Sequence, residues 1–292
     1  MSHCLGVGGR DLSSAVRGRS TRQALAALAA DPSTESIIVV SKPPAADVLS
    51  AIQSYAATLG KPVHWAILGA GRPDLTAAVE AALATQPDGI PTWPQWLAET
   101  PTETPAEVSN QPKAKRTNGF LRGLFCGGTL ADEAMIIASE QLGPIRSNIP
   151  LSTELALGPE LRSDAHLVID FGDDRLTRGR PHPMIDPSLR LERIAVEGDD
   201  PTCAVLLLDL VLGFGSHTDP ADELAAAITS ARTAAAAGGR ELPVVVALIG
   251  VENDPQGLTS CATTLHASGA SVFVSNAHAT RHALSLLAAL SA

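Results

Sequence analysis

Two parts of the chain are written to one plan, and that repetition narrows the folds open to it more than any other feature. The first part reads DPSTESIIVVSKPP, then ADVLSAIQSYAATLG with helical character, then KPVHWAILG. The second reads DPTCAVLLLDLVLGFG, then DPADELAAAITSARTAAAAGG, then LPVVVALIG. In each, aspartate-proline precedes an aliphatic run, a helical stretch follows, and Pro-Val opens another run. A strand, a crossover helix and a second strand in that order make a parallel βαβ unit. Unbroken aliphatic runs suit strands covered on both faces. Aromatics are only 3% of the residues, so the core must be built from small aliphatic side chains. The expected class is α/β, with two related parallel-sheet domains.

Residues 99–118, ETPTETPAEVSNQPKAKRTN, separate the two parts. They are rich in Pro, Thr and charge without apolar periodicity, which predicts an exposed linker. The expected domains are therefore 1–98 and 119–292. The second has enough strands for a complete sheet, at 121–126, 166–171, 204–212, 243–249 and 271–275. The first has 4–7, 36–40 and 63–68, with a short piece near Ile90 as a further candidate. Three parallel strands leave an unpaired edge and an uncovered face. The first domain is thus incomplete, and either another chain supplies a strand and helix or it packs on the second domain. Other protein subunits or a homo-oligomer are expected partners.

The formal net charge of −10 at pH 7 argues against a general affinity for nucleic acid, because phosphate backbones need clustered Lys and Arg. No apolar run approaches the roughly 20 residues that span a bilayer. The N-terminal MSHCLGVGGRDLSS lacks the basic-then-apolar order of a signal peptide. The expectation is a soluble, cytoplasmic protein with neither nucleic acid nor membrane among its partners. Cysteines at 4, 126, 203 and 261 show no CxxC spacing, so neither a zinc site nor a disulfide framework is expected.

Four stretches can carry chemistry. In GLFCGGTLADEA, residues 123–134, a strand ends at Gly127 and Gly128, and Thr129 is placed to cap a helix with Asp132 three residues on. Glycines allow close backbone approach, and a helix start offers N–H groups to an anion. Asp132 and Glu133 in a first turn would oppose an anion, so a plain strand-to-helix turn stays open beside phosphate binding. Cys126 reads as a packed thiol rather than a nucleophile. In FGDDRLTRGRPHPMIDPSLRLERI, residues 171–194, Asp186 is a good N-cap and Pro187 a good first helical residue. Arg178, Arg180 and His182 precede it on a stiff glycine- and proline-bounded loop, an anion pocket by charge and geometry. The alternative is a solvated loop beside a capped helix. Asp170, Asp173 and Asp174 match no calcium-loop order, so no metal is expected.

The other two are weaker. GVGGRDLS sets Gly8, Gly9 and Arg10 after a strand, with Arg10 and Asp11 facing a cleft or pairing in the turn. GFGSHTDP, residues 213–220, reads as a structural turn in which Asp219 caps a helix ahead of Pro220. His278 and His282 share a helix face but lack a third ligand.

Taken in order, GVGGRDLS, SKPPA, GLFCGGTLADEA, IDFGDD, GRPHPMIDPSLRLERI and VLLLDLVLGFG resemble the FdrA family, relatives of succinyl-CoA synthetase. The resemblance spans essentially the whole chain. It implies two flavodoxin-like domains of the succinyl-CoA synthetase ligase type, the first incomplete. Residues 1 to about 97 resemble the later part of the alpha-subunit ligase domain, and 119–292 the carboxy-terminal domain of the beta subunit. The opening strand and helix of the first domain, an ATP-grasp domain and a Gly-His-Ala-Gly phosphohistidine motif are not found in this sequence. What the resemblance does imply is a place that holds a phosphoryl group between two helix N-termini. Gly127, Gly128 and Thr129 match one, and Asp186 to Ser188 with the preceding loop match the region of the other.

Some FdrA-type proteins are implicated in oxamate carbamoyl transfer, which interconverts oxalurate and phosphate with oxamate and carbamoyl phosphate. The leading expectation is therefore a subunit of a carbamoyl- or acyl-phosphate transferase, binding phosphate and a small carboxylate without a bound cofactor. Its binding residues would be Gly127, Gly128, Thr129, Arg178, Arg180, His182, Asp186 and Ser188, with Gly8, Gly9 and Arg10 as further candidates. His182 and Arg180 would act in catalysis. The alternatives are an acid–CoA ligase subunit that needs partner chains, and a non-catalytic scaffold or regulatory subunit.

Overall fold

The structure, a computed structural model, describes residues 2–98 and 119–291; the expected linker at 99–118 lies outside the described residues. The chain divides into two compact units, Met1–Pro91 and Thr92–Ala292.

The smaller unit contains α1 (Arg19–Ala30), β1 (Ile37–Ser41), α2 (Ala46–Ala56), β2 (Val63–Ile67) and α3 (Leu75–Leu83). β1 and β2 pair in parallel, Ile37 opposite Val63. Val48, Leu49, Ile52 and Ala56 form the buried stripe of α2, at the i, i+4 spacing of one helix face. α3 starts at Asp74, whose carboxylate accepts the Ala77 N–H at 2.8 Å. The strand expected at 4–7 does not form, and Leu5 and Val7 are exposed. Glycines at 6, 8 and 9 leave that stretch little to pack, and strand formation depends on such packing. The first sheet therefore has two strands rather than three.

The larger unit contains β3 (Gln95–Trp96), β4 (Phe120–Phe125), α4 (Gly128–Leu142), β5 (Arg146–Ser147) and a 3-10 turn at Thr153–Leu155. It continues through β6 (Leu167–Asp170), α5 (Asp174–Thr177), α6 (Ser188–Asp199), β7 (Cys203–Val211) and α7 (Pro220–Ala237). β8 (Val244–Ile249), α8 (Leu258–Ala267), β9 (Ala270–Phe273) and α9 (Asn276–Ser291) complete it. The sheet order is β3-β9-β8-β7-β4-β6-β5. Only β3 is antiparallel, with Gln95 opposite Phe273 and Trp96 opposite Val272. Residues 92–98, expected to close the first domain, instead edge the second sheet. The expected piece near Ile90 is absent, and Trp96 packs on the larger core. Leu206, Leu208 and Leu210 pack with α6, α7 and α8 on one face. Val205 and Leu207 pack with α4 and α9 on the other. No helix among the described residues is long and apolar enough to cross a membrane.

The repeated phrase is repeated structure. α1 and α6 are each 12 residues long and end on Asp31 and Asp200. The Asp31 N–H donates to Ala27 and the Asp200 N–H to Val196. The Ser33 N–H reaches the Asp31 carboxylate at 3.1 Å, and the Thr202 N–H reaches that of Asp200 at 2.8 Å. Ile37 N–H then donates to the Pro62 carbonyl at 2.9 Å, and Leu206 N–H to that of Pro243 at 3.0 Å. From Ala27 to Ile37 and from Val196 to Leu206 the spacing is the same, so β1 is the counterpart of β7 and β2 of β8.

Candidate functional site

Counted in chain order without the two-residue β5, the parallel strands of the larger sheet run 2-1-3-4-5. That is flavodoxin order, whose ligands lie beyond the carboxyl ends of the strands at the switch between the first and third. Here the switch falls between β4 and β7.

At that switch β4 runs into Cys126 and Gly127, and α4 begins at Gly128. Gly127 takes the N-cap position with an extended φ of −142° and no side chain caps the helix. Thr129, expected as the cap, lies inside the first turn. Asp132 and Glu133 fall beyond that turn and are buried; the Glu133 carboxylate accepts the Asn276 amide at 2.7 Å. The negative charge expected to oppose an anion is turned into the core, away from the helix start. Gly127 is not required for backbone conformation. A methyl there would meet Met184 Cε at 3.8 Å and Asp209 Oδ2 at 3.9 Å, ordinary contacts.

Asp209 is a lone charge in the aliphatic strand CAVLLLDLV and is fully buried. Its Oδ1 accepts the Cys126 N–H at 2.9 Å and Arg190 Nη1 at 2.6 Å. Arg190 Nη1 also donates to the Asp209 carbonyl at 2.8 Å. Asp209 Oδ2 and Arg190 Nε have no hydrogen-bond partner among the described residues. Burial pushes the Asp209 carboxyl up from its ordinary value, against the pull of Arg190 and the Cys126 N–H. Cys126 is buried, and burial followed by the Asp209 charge holds its thiol far above the ordinary range. It is no thiolate nucleophile.

His182 is half-buried beside these groups. Its Nδ1 accepts the Met184 N–H at 3.3 Å, which leaves the ring proton on Nε2. A Cβ at Gly172 would stand 2.6 Å from His182 Nε2, 2.8 Å from the Cys126 carbonyl and 3.1 Å from Asp170 Oδ1. Only glycine fits where β4, β6 and the RGRPHP loop converge. Burial lowers the His182 pKa while the Asp209 charge opposes the shift. The ring is therefore a neutral donor at pH 7.

Arg178 and Arg180 are exposed on the same loop, around Gly179 at φ +77°. Asp186 lies one residue outside its expected N-cap position, and Pro187 takes that position. Its carboxylate accepts both the N–H of Ser188, at 3.1 Å, and the Ser188 hydroxyl. The Ser188 hydroxyl first, then its N–H, hold the Asp186 carboxyl below its usual range. Asp186 and Ser188 thus bond each other at the start of α6, and the wall facing Gly127 is formed by Met184. The GFGSHT loop is tied in through the His217 N–H, which donates to the Met184 carbonyl at 2.8 Å. Gln256 braces it by donating to the carbonyls of Gly213 and His217. Gly8, Gly9 and Arg10 are exposed turn residues of the smaller unit. Asp11 there is buried and caps α1 through the Ser20 and Thr21 N–H groups.

Below the loops, a cavity of about 20 Å³ lined by Cys126, Met184, Arg190 and His217 has room for one water. No group of three or more His, Cys, Asp or Glu side chains among the described residues is placed to hold a metal ion. Asp209, Arg190 and Gln256 escape motif reading. The one available signal is the carboxylate interrupting an otherwise aliphatic strand.

Comparison with known proteins identifies the family. Residues 124–286 match the CoA-ligase family. The chain is 39% identical over 269 residues to the uncharacterized protein YahF of Escherichia coli strain K12, covering 88% of this chain and 52% of YahF. The chain thus spans about half the length of that curated relative.

Proposed function

The chain belongs to the CoA-ligase family, and from that premise we propose that it is a subunit holding the phosphate end of an acyl phosphate at the mouth between β4 and β7. The start of α4 carries the reading: a 15-residue helix opens at the switch point with no side-chain cap on its first turn. Exposed N–H groups at such a start bind anionic oxygens through geometry and dipole together. His182 adds a neutral donor, and Arg178 with Arg180 adds charge from the loop above. Donors fixed in advance stabilise the charge that develops on acyl-phosphate oxygens. His182, protonated at Nε2, donates a hydrogen bond to the carbonyl or leaving oxygen and stabilises the charge that develops there.

The finer reading places the chain in the FdrA branch, where a carbamoyl group passes between oxalurate and phosphate. The second reading, favoured by the match over residues 124–286, is thioester formation from an acid and CoA with partner chains supplying the remaining sites. Both handle an acyl phosphate, and the acceptor separates them.

Calorimetric titration with inorganic phosphate and with carbamoyl phosphate tests the shared step. The Arg178→Ala, Arg180→Ala double variant should weaken binding by at least about tenfold, roughly 1.4 kcal/mol. Unchanged affinity would remove the loop from the site, and a wild-type chain blind to both ligands would leave a scaffold role. With partner subunits present, carbamoyl phosphate formed from oxalurate supports the finer reading. Thioester formation that needs ATP and CoA supports the second.

A further inference from the structure

The carboxylate that interrupts β7 lies directly beneath the start of α4. Asp209 is 0% exposed, and its two oxygens are used unequally. Oδ1 accepts the Cys126 N–H and Arg190 Nη1. Oδ2 has no hydrogen-bond partner among the described residues. It stands 3.9 Å from the place a Cβ would take on Gly127, the residue that caps α4. An unpaired carboxylate oxygen in an apolar interior is the atom where a proton relieves the most desolvation. Arg190 balances the Asp209 charge, so the pair as a whole presents no net charge to the first turn of α4. An anion at that turn meets the Asp209 carboxylate with only the Gly127 backbone between them. Like charges held that close in a low dielectric cannot both stay ionised without cost.

We propose that Asp209 is the proton-linked residue of this site. One proton passes from solvent to Oδ2 when an anion binds at the start of α4, and returns to solvent when the anion leaves. The inference rests on the acyl-phosphate reading and adds a proton to its binding step. Protonation removes one negative charge, so Arg190, no longer neutralised, faces the bound anion across the turn. The Cys126 N–H stays on Oδ1, which keeps the turn in place. Burial already favours the neutral carboxyl, with Arg190 opposing it. Around Asp209, α6 brings Arg190, which is always charged, and the end of β4 brings the Cys126 thiol, held protonated by burial. The RGRPHP loop brings His182, neutral at pH 7. Asp170 at the end of β6 acts on Cys126, and the residue opposite on β8 is Ala247. His217 lines the small cavity with Arg190 and stands 3.6 Å from Glu223 of α7. The acids of α4 are Asp132 and Glu133, the second bonded to Asn276 of α9. His182 is the competing acceptor for the proton.

Carbon-13 NMR of the full chain labelled at the aspartate side-chain carboxyl, with Asp209 assigned through its backbone, provides the test. Inorganic phosphate is the probe. Saturating phosphate should raise the proton affinity of Asp209 at least about tenfold. By reciprocity, phosphate should bind at least about tenfold more tightly with Asp209 protonated than ionised. Corrected for phosphate's own ionisation, its affinity should therefore fall as pH rises through the Asp209 titration. Asp209→Asn keeps an oxygen for the Cys126 N–H and carries no charge, so it should lose that pH dependence, whereas His182→Gln should keep it. The wild-type titration decides the matter whether or not either variant folds. Phosphate that moves the Gly128 and Thr129 amide signals but leaves the Asp209 titration unchanged would overturn the inference and spare the acyl-phosphate reading. So would a proton taken up on His182 instead, or an Asp209 carboxyl already protonated at pH 7 without phosphate. Phosphate that moves no signal around the start of α4 would overturn both.

Discussion

Arg190 and Asp209 fix the carboxyl end of the central strand from within the core. The pair is almost wholly buried, 3% and 0% exposed, at 2.6 Å, and Asp209 also anchors the Cys126 N–H. Two charges taken out of water regain little net stability, but removing one leaves the other uncompensated. Arg190→Ala should therefore destabilise the chain by about 3–5 kcal/mol. Arg190→Met with Asp209→Leu should cost far less than the two single changes together, because no bare charge remains. Urea unfolding of the three variants measures this, and a near-additive double variant would contradict it. The pair positions the Gly127 turn through the Cys126 N–H. Motif reading singles out that turn and the RGRPHP loop but not the pair behind them. Glycine and proline punctuate a sequence visibly, whereas the partner of a buried Asp lies 19 residues away on another element.

The Asp-Pro turns show the same division among elements. Their carboxylates close the turn between helix and strand in both units, and the phrase that encodes them can be read directly from the residues. The Thr34 hydroxyl, then the Ser33 hydroxyl and N–H, hold the Asp31 carboxyl down at about 2. An unfolded aspartate titrates near 3.9. A depressed folded pKa gives a contribution that is complete above about pH 4 and lost as pH falls towards 2. The stability gap between wild type and Asp31→Asn, followed by urea titration, should thus be full at pH 5 and closed near pH 2. An undiminished gap at pH 2 would show that the turn does not need the ionised carboxylate. Elements without such chemistry were harder to read. The strand expected at 4–7 has aliphatic residues but nothing to pack against, and β3 and β5 are two residues each, too short for any period. Thr129 looked like a cap because Thr followed two glycines. The helix instead begins two residues earlier, at Gly128, with Gly127 as its cap.

At the scale of the molecule the two units are built from one βαβ plan with unequal cores. The smaller encloses Leu12, Leu25, Ile37, Val48, Ile52 and Ala56. The larger encloses one extensive apolar cluster on each face of a seven-stranded sheet. Buried apolar area is the main source of stability, at about 25 cal/mol per Å², and a small unit buries a smaller share of its surface. The smaller unit should therefore open first. Urea titration followed by amide exchange should show two transitions: β1 and β2 lose protection at the lower midpoint and with the smaller slope, β7 and β8 at the higher. One coincident transition for all four strands would mean that the units unfold as a single cooperative body.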